Sequence, residues 1–208
     1  MRIRITFHKT EEMRFTSHLD LHRAWERTFR RANLPLAYSQ GYNPRPKINL
    51  ASALPLGFTS ENEVLDVRFE SKLQLSDIAT SLHAALPPGI TLGSLEEIDP
   101  REPSLQSRLQ AAEYKITFLD AFPDLAGRIQ ELLNTSSLPR EKRGKAYNLR
   151  PLIEELSMLT GNEQGQQQIM TRLAAREGAT GRPEEVIAEL GYDPLAARVQ
   201  RTRLIFGD

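Results

Sequence analysis

RIRITFHKTEEMRFTSHLDLHRAWERTFRRA, residues 2–32, changes its period part-way along. From Arg2 to Phe7, basic or polar residues alternate with Ile3, Ile5 and Phe7, a period of two that puts the apolar side chains on one face of a strand. Past Ser17 the spacing lengthens: Leu21, Ala24, Trp25, Thr28, Phe29 and Ala32 recur as they would along one side of a helix. Ser17 and Asp20 stand three apart, a capping box with a short acid in place of Glu, and Pro35 closes the segment. The opposite helix face carries Arg23, Arg27, Arg30 and Arg31. Next, residues 48–54 read as a strand, LPLGFTSEN as a turn and EVLDVRFE as an alternating strand. In that strand Val64, Asp66 and Arg68 fall on one side, and Leu65, Val67 and Phe69 on the other. Ser76 is placed to cap a helix through Ala85; PPG ends it, and ITLGSLEEI returns as a strand. The order strand, helix, strand, strand, helix, strand predicts a ferredoxin-like unit over residues 1–98.

The polar, Pro-punctuated stretch around DPREPSLQ reads as a linker over residues 99–110. Beyond it come a strand (EYKITFLD), a helix (FPDLAGRIQELL), the basic stretch PREKRGKAYNLRP and a short apolar helix (LIEELSML). A strand (QQQIMTRLAAREG), a helix with Pro183 near its start (PEEVIAELG) and a last strand (ARVQRTRLIF) complete the chain. Residues 111–208 thus approximate the first order with an extra helix inserted. The expected fold is α+β: two tandem ferredoxin-like units, antiparallel sheets with helices packed on one face.

With 208 residues, 39% of them hydrophobic and 26% charged, the chain can bury a core in each of two small domains. Its 27 basic and 27 acidic residues cancel, but unevenly along the sequence. Residues 1–50 hold ten Lys/Arg against four Asp/Glu, and residues 51–100 hold two against eight. Such separation implies a face specialised for an anionic partner. The absence of cysteine excludes disulfides, thiolate zinc sites, thiol nucleophiles and iron–sulfur clusters held by this chain's own thiolates. No apolar run approaches the ~18 residues of a membrane span, and the alternating N-terminus is unlike a secretory signal, so a cytoplasmic location is expected.

SQGYNPRPKINLA, residues 39–51, gathers the most suggestive side chains. Gly41 permits a sharp turn, and Pro44 and Pro46 hold the chain extended, which fixes Tyr42, Asn43 and Arg45 on a stiff projection. Tyrosine can stack on an unpaired base, asparagine can read a base edge, and Arg45 and Lys47 can take phosphates. A structural loop that packs Tyr42 onto the domain is the plain alternative. The arginines of the helix fork onto phosphates equally well, though the same pattern also describes a solvated face on which Glu26 supports Arg30. A second basic cluster, with Lys142, Arg143, Lys145 and Arg150 beside Arg140, extends the proposed RNA track. His18 and His22 stand one turn apart with Asp20 between them, but a metal site needs a third ligand that only His8 or a remote acid supplies, so no metal or other cofactor is expected. The catalytic candidates are His18 as a general base, Asp20, and Asp66. A lone strand aspartate is more often a salt-bridge partner, here for an arginine of the loop.

Residues 15–67, FTSHLDLHRAWERTFRRANLPLAYSQGYNPRPKINLASALPLGFTSENEVLDV, resemble the signature block of the radical-SAM-linked protein family. The carriers are Ser-His-Leu-Asp ahead of an Arg-Arg-Ala helix end, then Ser-x-Gly-Tyr-Asn-Pro, then Leu-Pro-Leu-Gly. The match is strongest over residues 13–70; NLRPLIEEL and GRPEEVIAELG resemble the second half, with Asn148 where an acid is expected. The resemblance implies a bacterial protein encoded beside, or fused to, a cobalamin-binding radical SAM enzyme, in the neighbourhood of RNA-processing genes. Lacking cysteine, this chain is not the radical enzyme itself. The expected function is an RNA-binding or substrate-presenting accessory protein, without catalysis of its own, in tRNA or rRNA modification or maturation. The rivals are an RNA-processing enzyme (a metal-independent ribonuclease using His18, or a base-modifying enzyme) and an adaptor that touches only protein.

Overall fold

The computed structural model describes residues 1–142 and 144–207, which divide between Leu109 and Gln110 into two compact units. The first contains β1 (Arg2–Lys9), α1 (His18–Arg31), β2 (Ile48–Leu50), β3 (Thr59–Arg68), α2 (Leu75–Ala85), β4 (Ile90–Glu97) and the single turn α3 (Leu105–Arg108). Within it the strands lie in the order β2-β3-β1-β4, each pair of neighbours antiparallel. β1 and β2 therefore run parallel with β3 between them, and α1 makes the crossover.

The period-two reading of β1 holds: Ile3, Ile5 and Phe7 are all buried. They meet Leu21, Trp25 and Phe29 of α1 and Ile78 and Leu82 of α2 in one apolar cluster. Aromatic rings run through it, Phe7 to Trp25 at 4.9 Å, Trp25 to Phe29 at 5.4 Å and Phe29 to Phe69 at 5.9 Å between centroids, mostly in the edge and tilted arrangements that ring quadrupoles favour.

The other side of β1 is ionic. Asp66, 2% exposed, receives Arg2 Nη2 at 2.6 Å and Arg4 Nε at 2.9 Å. Its partners thus come from the neighbouring strand, where Arg4 is paired with Asp66 in register, and not from the loop at 39–51. Arg2 also donates to the carbonyls of Glu102 and Pro103, and Gln106 donates to the carbonyl of Leu50. The segment expected to be a linker is in consequence fastened to the first unit through residue 109. Two smaller expectations also shift. The strand starting at Ile48 ends at Leu50, and α2 starts at Leu75 behind Gln74, which leaves Ser76 inside the first turn.

The second unit comprises β5 (Leu109–Phe118), α4 (Leu125–Asn134), β6 (Pro139–Lys142), β7 (Lys145–Asn148), β8 (Ile153–Leu159), β9 (Gln168–Arg176), β10 (Ala179–Thr180), α5 (Pro183–Glu189) and β11 (Ala197–Phe206). Its strands follow the order β8-β9-β5-β11, with β10 paired to the end of β9 and β6–β7 forming a separate hairpin. The segment LIEELSML, expected to be a helix, is the strand β8. Ile153, Leu156 and Leu159 are spaced by three, which imitates a helical stripe. A break in the pairing register between Ile153 and Glu155 produces the first of those spacings in a strand. The insertion is accordingly a hairpin and not an extra helix.

Replacing Asp66 with Ala leaves two arginines without their shared carboxylate. Breaking a buried pair typically costs about 3–5 kcal/mol. Urea denaturation of Asp66→Ala is expected to show a loss of that size, and a change under 1 kcal/mol would mean that the arginines find other partners.

Candidate nucleic-acid interface

α1 begins as its sequence suggests. Asp20 N–H donates to Ser17 Oγ at 3.2 Å, and Ser17 Oγ donates to Asp20 Oδ2 at 2.7 Å. At the other end Asn33 takes φ 52°, and the N–H groups of Asn33 and Leu34 return to the carbonyls of Arg30 and Phe29, a left-handed cap that stops the helix before Pro35.

Arg23, Arg27, Arg30 and Arg31 are exposed, but they are not equivalent. Arg23 pairs with Asp20 at 3.1 Å, and Arg30 pairs with Glu26 at 2.7 Å. Arg31 donates to the carbonyl of Ala85 at 2.6 Å. Arg27 has no hydrogen bond or ion pair with a described residue. A hydrogen bond with Tyr38, reinforced by Glu26, pushes the Arg30 guanidinium up from its ordinary value.

The loop is a finger with a hydrogen-bonded neck. Ala37 N–H donates to Arg68 of β3, and Lys47 N–H donates back to Ala37. One step further out, Ser39 N–H donates to the Arg45 carbonyl at 2.8 Å, and Arg45 N–H donates to Ser39 Oγ at 2.9 Å. The tip turns at Gly41, whose φ of +130° disfavours any side chain. Tyr42 is 100% exposed, and Asn43, Arg45 and Lys47 are exposed with it. Tyr42 does not pack onto the domain, and the side chains of Arg45 and Lys47 have no partner among the described residues. The finger and α1 therefore bring Arg27, Arg30, Tyr42, Asn43, Arg45 and Lys47 onto connected elements.

The catalytic candidates are placed differently. Both oxygens of Asp66 are engaged by Arg2 and Arg4. Asp20 is exposed at the helix start, and the Ser17 hydroxyl, followed by Arg23, holds its carboxyl below the usual range. His18 is half-buried in the first turn, while His22 Nε2 lies 3.2 Å from the Ile48 carbonyl. Among the described residues no group of three potential ligands is placed to hold a metal ion.

In the second unit the basic cluster separates into structural and open members. Arg150 donates to the carbonyls of Ile153 and Leu133, the latter in the last turn of α4, and so braces that helix end. Arg140 pairs with Glu189 of α5. Asn148 Oδ1 accepts the N–H groups of Leu138 and Arg150, a structural role that an acid at this position would also fill. Lys145 is exposed at the start of β7, Lys142 ends β6, and Arg143 lies outside the described residues.

Sequence reasoning missed Phe15. It is 70% exposed, and Arg14 lies 4.3 Å over its ring. The buried Lys9 ammonium holds this corner by donating to the carbonyls of Arg14, Thr16 and Phe58. A phenylalanine outside the helical stripe was the available signal.

The chain matches DUF2344, described as uncharacterized protein conserved in bacteria, over residues 2–183. It belongs to that family. No curated protein matches it. Among solved structures it is similar to a chain of a Cbf5-Nop10-Gar1 complex, with a TM-score of 0.51 at 13% identity, covering 97% of this chain and 48% of that one. It also resembles chains of the archaeal box H/ACA sRNP Nop10-Cbf5 complex (TM-score 0.46, 11% identity, 99% and 48% covered) and of an H/ACA RNP bound to a substrate RNA containing 2'-deoxyuridine (0.42, 12%, 88% and 43%). At these identities the likeness concerns the fold alone, and the chain spans about half the length of the solved chains it matches. Among the described residues no helix is long and apolar enough to cross a membrane.

Because Asp20 has a depressed pKa in the folded state, it stabilises the fold above its unfolded value of about 4, and that contribution is lost as pH falls through the lower folded value. The stability difference between the native chain and Asp20→Asn is expected to be constant from pH 5 to 7 and to shrink below about pH 4 in urea titrations. A difference independent of pH down to 2 would show that Asp20 acts through packing alone.

Proposed function

We propose that this protein is an RNA-binding, substrate-presenting accessory subunit, acting on tRNA or rRNA during modification or maturation beside a separate radical SAM enzyme. One observation carries the reading: a fully exposed tyrosine stands on a braced finger that follows a helix whose outer face is arginine-rich. A ring held away from its own protein is suited to stacking on a base, and the unpaired cations Arg27, Arg45 and Lys47 are suited to the flanking phosphates. The radical SAM partner rests on the signature-block resemblance, and so does the choice of tRNA or rRNA.

The fold reading is finer than α+β. The order β2-β3-β1-β4 about α1 and α2 supports a ferredoxin-like first unit, and β8-β9-β5-β11 about α4 and α5 supports a second that carries the β6–β7 hairpin as an insertion. We keep the accessory reading ahead of the enzyme because Asp66 has both oxygens in ion pairs and Asp20 is used as a cap.

Fluorescence anisotropy with a labelled single-stranded oligoribonucleotide tests the reading. Affinity should fall linearly in a log–log salt titration, with a slope of roughly −0.7 per phosphate neutralised. Tyr42→Ala should cost about 1–3 kcal/mol of binding, and Tyr42→Phe should retain most of it. Neither change should alter the melting temperature, because the ring buries no protein surface. Affinity independent of salt and of Tyr42 would favour a protein-only adaptor, and cleavage of the RNA by the purified chain, abolished by His18→Ala, would favour the enzyme.

A further inference from the structure

A cavity of about 720 Å³ opens in the second unit between the hairpin strand β7 and the turn that carries β10. Lys145, Tyr147, Leu152, Gly178, Thr180 and Arg182 line it. The volume falls in the range of small-ligand sites, roughly 300–1,000 Å³. Its walls are braced. Tyr147 donates its hydroxyl to Glu185 Oε1 at 2.5 Å, and Arg182 Nη1 reaches the same carboxylate at 2.9 Å. Burial, followed by that carboxylate, pushes the Tyr147 phenol up, so it stays a neutral donor. Next to the lining, the chain at Gly181 packs closely on Leu152 and Leu173: a Cβ there would come within 3.1 Å of the Leu152 carbonyl and 3.2 Å of Leu173 Cβ, so a larger residue would need its neighbours to shift by a few tenths of an ångström.

The charges around the cavity do not cancel. Arg182 spends Nη1 on Glu185 and keeps Nε and Nη2 unbonded to described residues, while Lys145 is exposed and without an ion pair. Two cations against one carboxylate leave about one positive charge at the rim. An aromatic ring and Leu152 supply a wall for a flat, partly apolar group.

We propose that this cavity takes one unpaired nucleotide of a single-stranded RNA, its base against Tyr147 and Leu152 and its phosphodiester on Lys145 and Arg182. This rests on the RNA-binding reading and deepens it, by adding a nucleotide site in the second unit that is separate from the finger. The single surplus charge matches a phosphodiester monoanion better than the doubly charged terminal phosphate of a free mononucleotide.

The experiment is amide NMR on the full chain, titrated with a decamer of uridine and, in parallel, with uridine 5'-monophosphate, alongside anisotropy on variants. Saturable shifts of the Gly178, Thr180 and Arg182 amides with the decamer are expected, and they should persist in Tyr42→Ala. Thr180→Trp, which fills the cavity from an exposed position, and Lys145→Glu, which reverses its charge, should each weaken the decamer roughly 5- to 150-fold, the worth of one stacked base. Shifts confined to residues 37–47 and α1, with both variants binding normally, would overturn the cavity and leave the RNA reading standing. No decamer binding by the native chain would overturn both. Uridine 5'-monophosphate saturating these amides as tightly as the decamer would reassign the cavity to free nucleotides and overturn the strand proposal.

Discussion

Arg4 and Asp66 face each other across the β1–β3 pair, with Arg2 closing on the same carboxylate from two residues away. Three charged side chains withdrawn from bulk water are tolerable only when paired, so this cluster penalises any other register. A slip by one residue would carry the ions into the face where Ile3, Ile5 and Phe7 meet α1. The same register sets the rest of the first unit. It turns the apolar stripe of α1 inward and its arginines outward. It also places Arg68 at the end of β3, where its backbone anchors the neck of the finger, and it gives residues 99–109 a surface to bind.

The cations of this protein divide by what they touch. Arg2, Arg4, Lys9, Arg31 and Arg150 spend their protons on carboxylates or carbonyls within the fold. Arg27, Arg45, Lys47 and Lys145 have no such partner among the described residues. An ion left unpaired at the surface keeps its hydration and costs the fold little, yet it is the one able to release counterions when a phosphate arrives. Counting basic residues therefore overstates the cations free to meet an anion, and the partner of each guanidinium corrects the count.

Alternation in β1, the capped amphipathic run of α1 and the Gly/Pro punctuation of the finger are local signals, and each was legible because it depends on neighbours within a few residues. The exposure of Tyr42 followed from the same stiffness. LIEELSML was misread for a complementary reason: a bulge breaks the period of two, and spacing by three is then indistinguishable from a helical stripe until the partner strand is known. The hold of Arg2 on residues 102 and 103 was not legible, because the residues of this stretch are polar in either case, free or held.

By itself, then, the sequence determined which segments could be strands or helices, that no thiol chemistry is available, and where a stiff basic loop must occur, while the structure decided that the loop projects. Only the tertiary structure decided that Asp66 belongs to Arg2 and Arg4, that Arg150 serves a helix end, and that Tyr147, Thr180 and Arg182 share a cavity. Those partners lie 62 and 64 residues apart for Asp66 and 17 for Arg150. Pairing at such separations is set by strand register and packing, which no local period encodes.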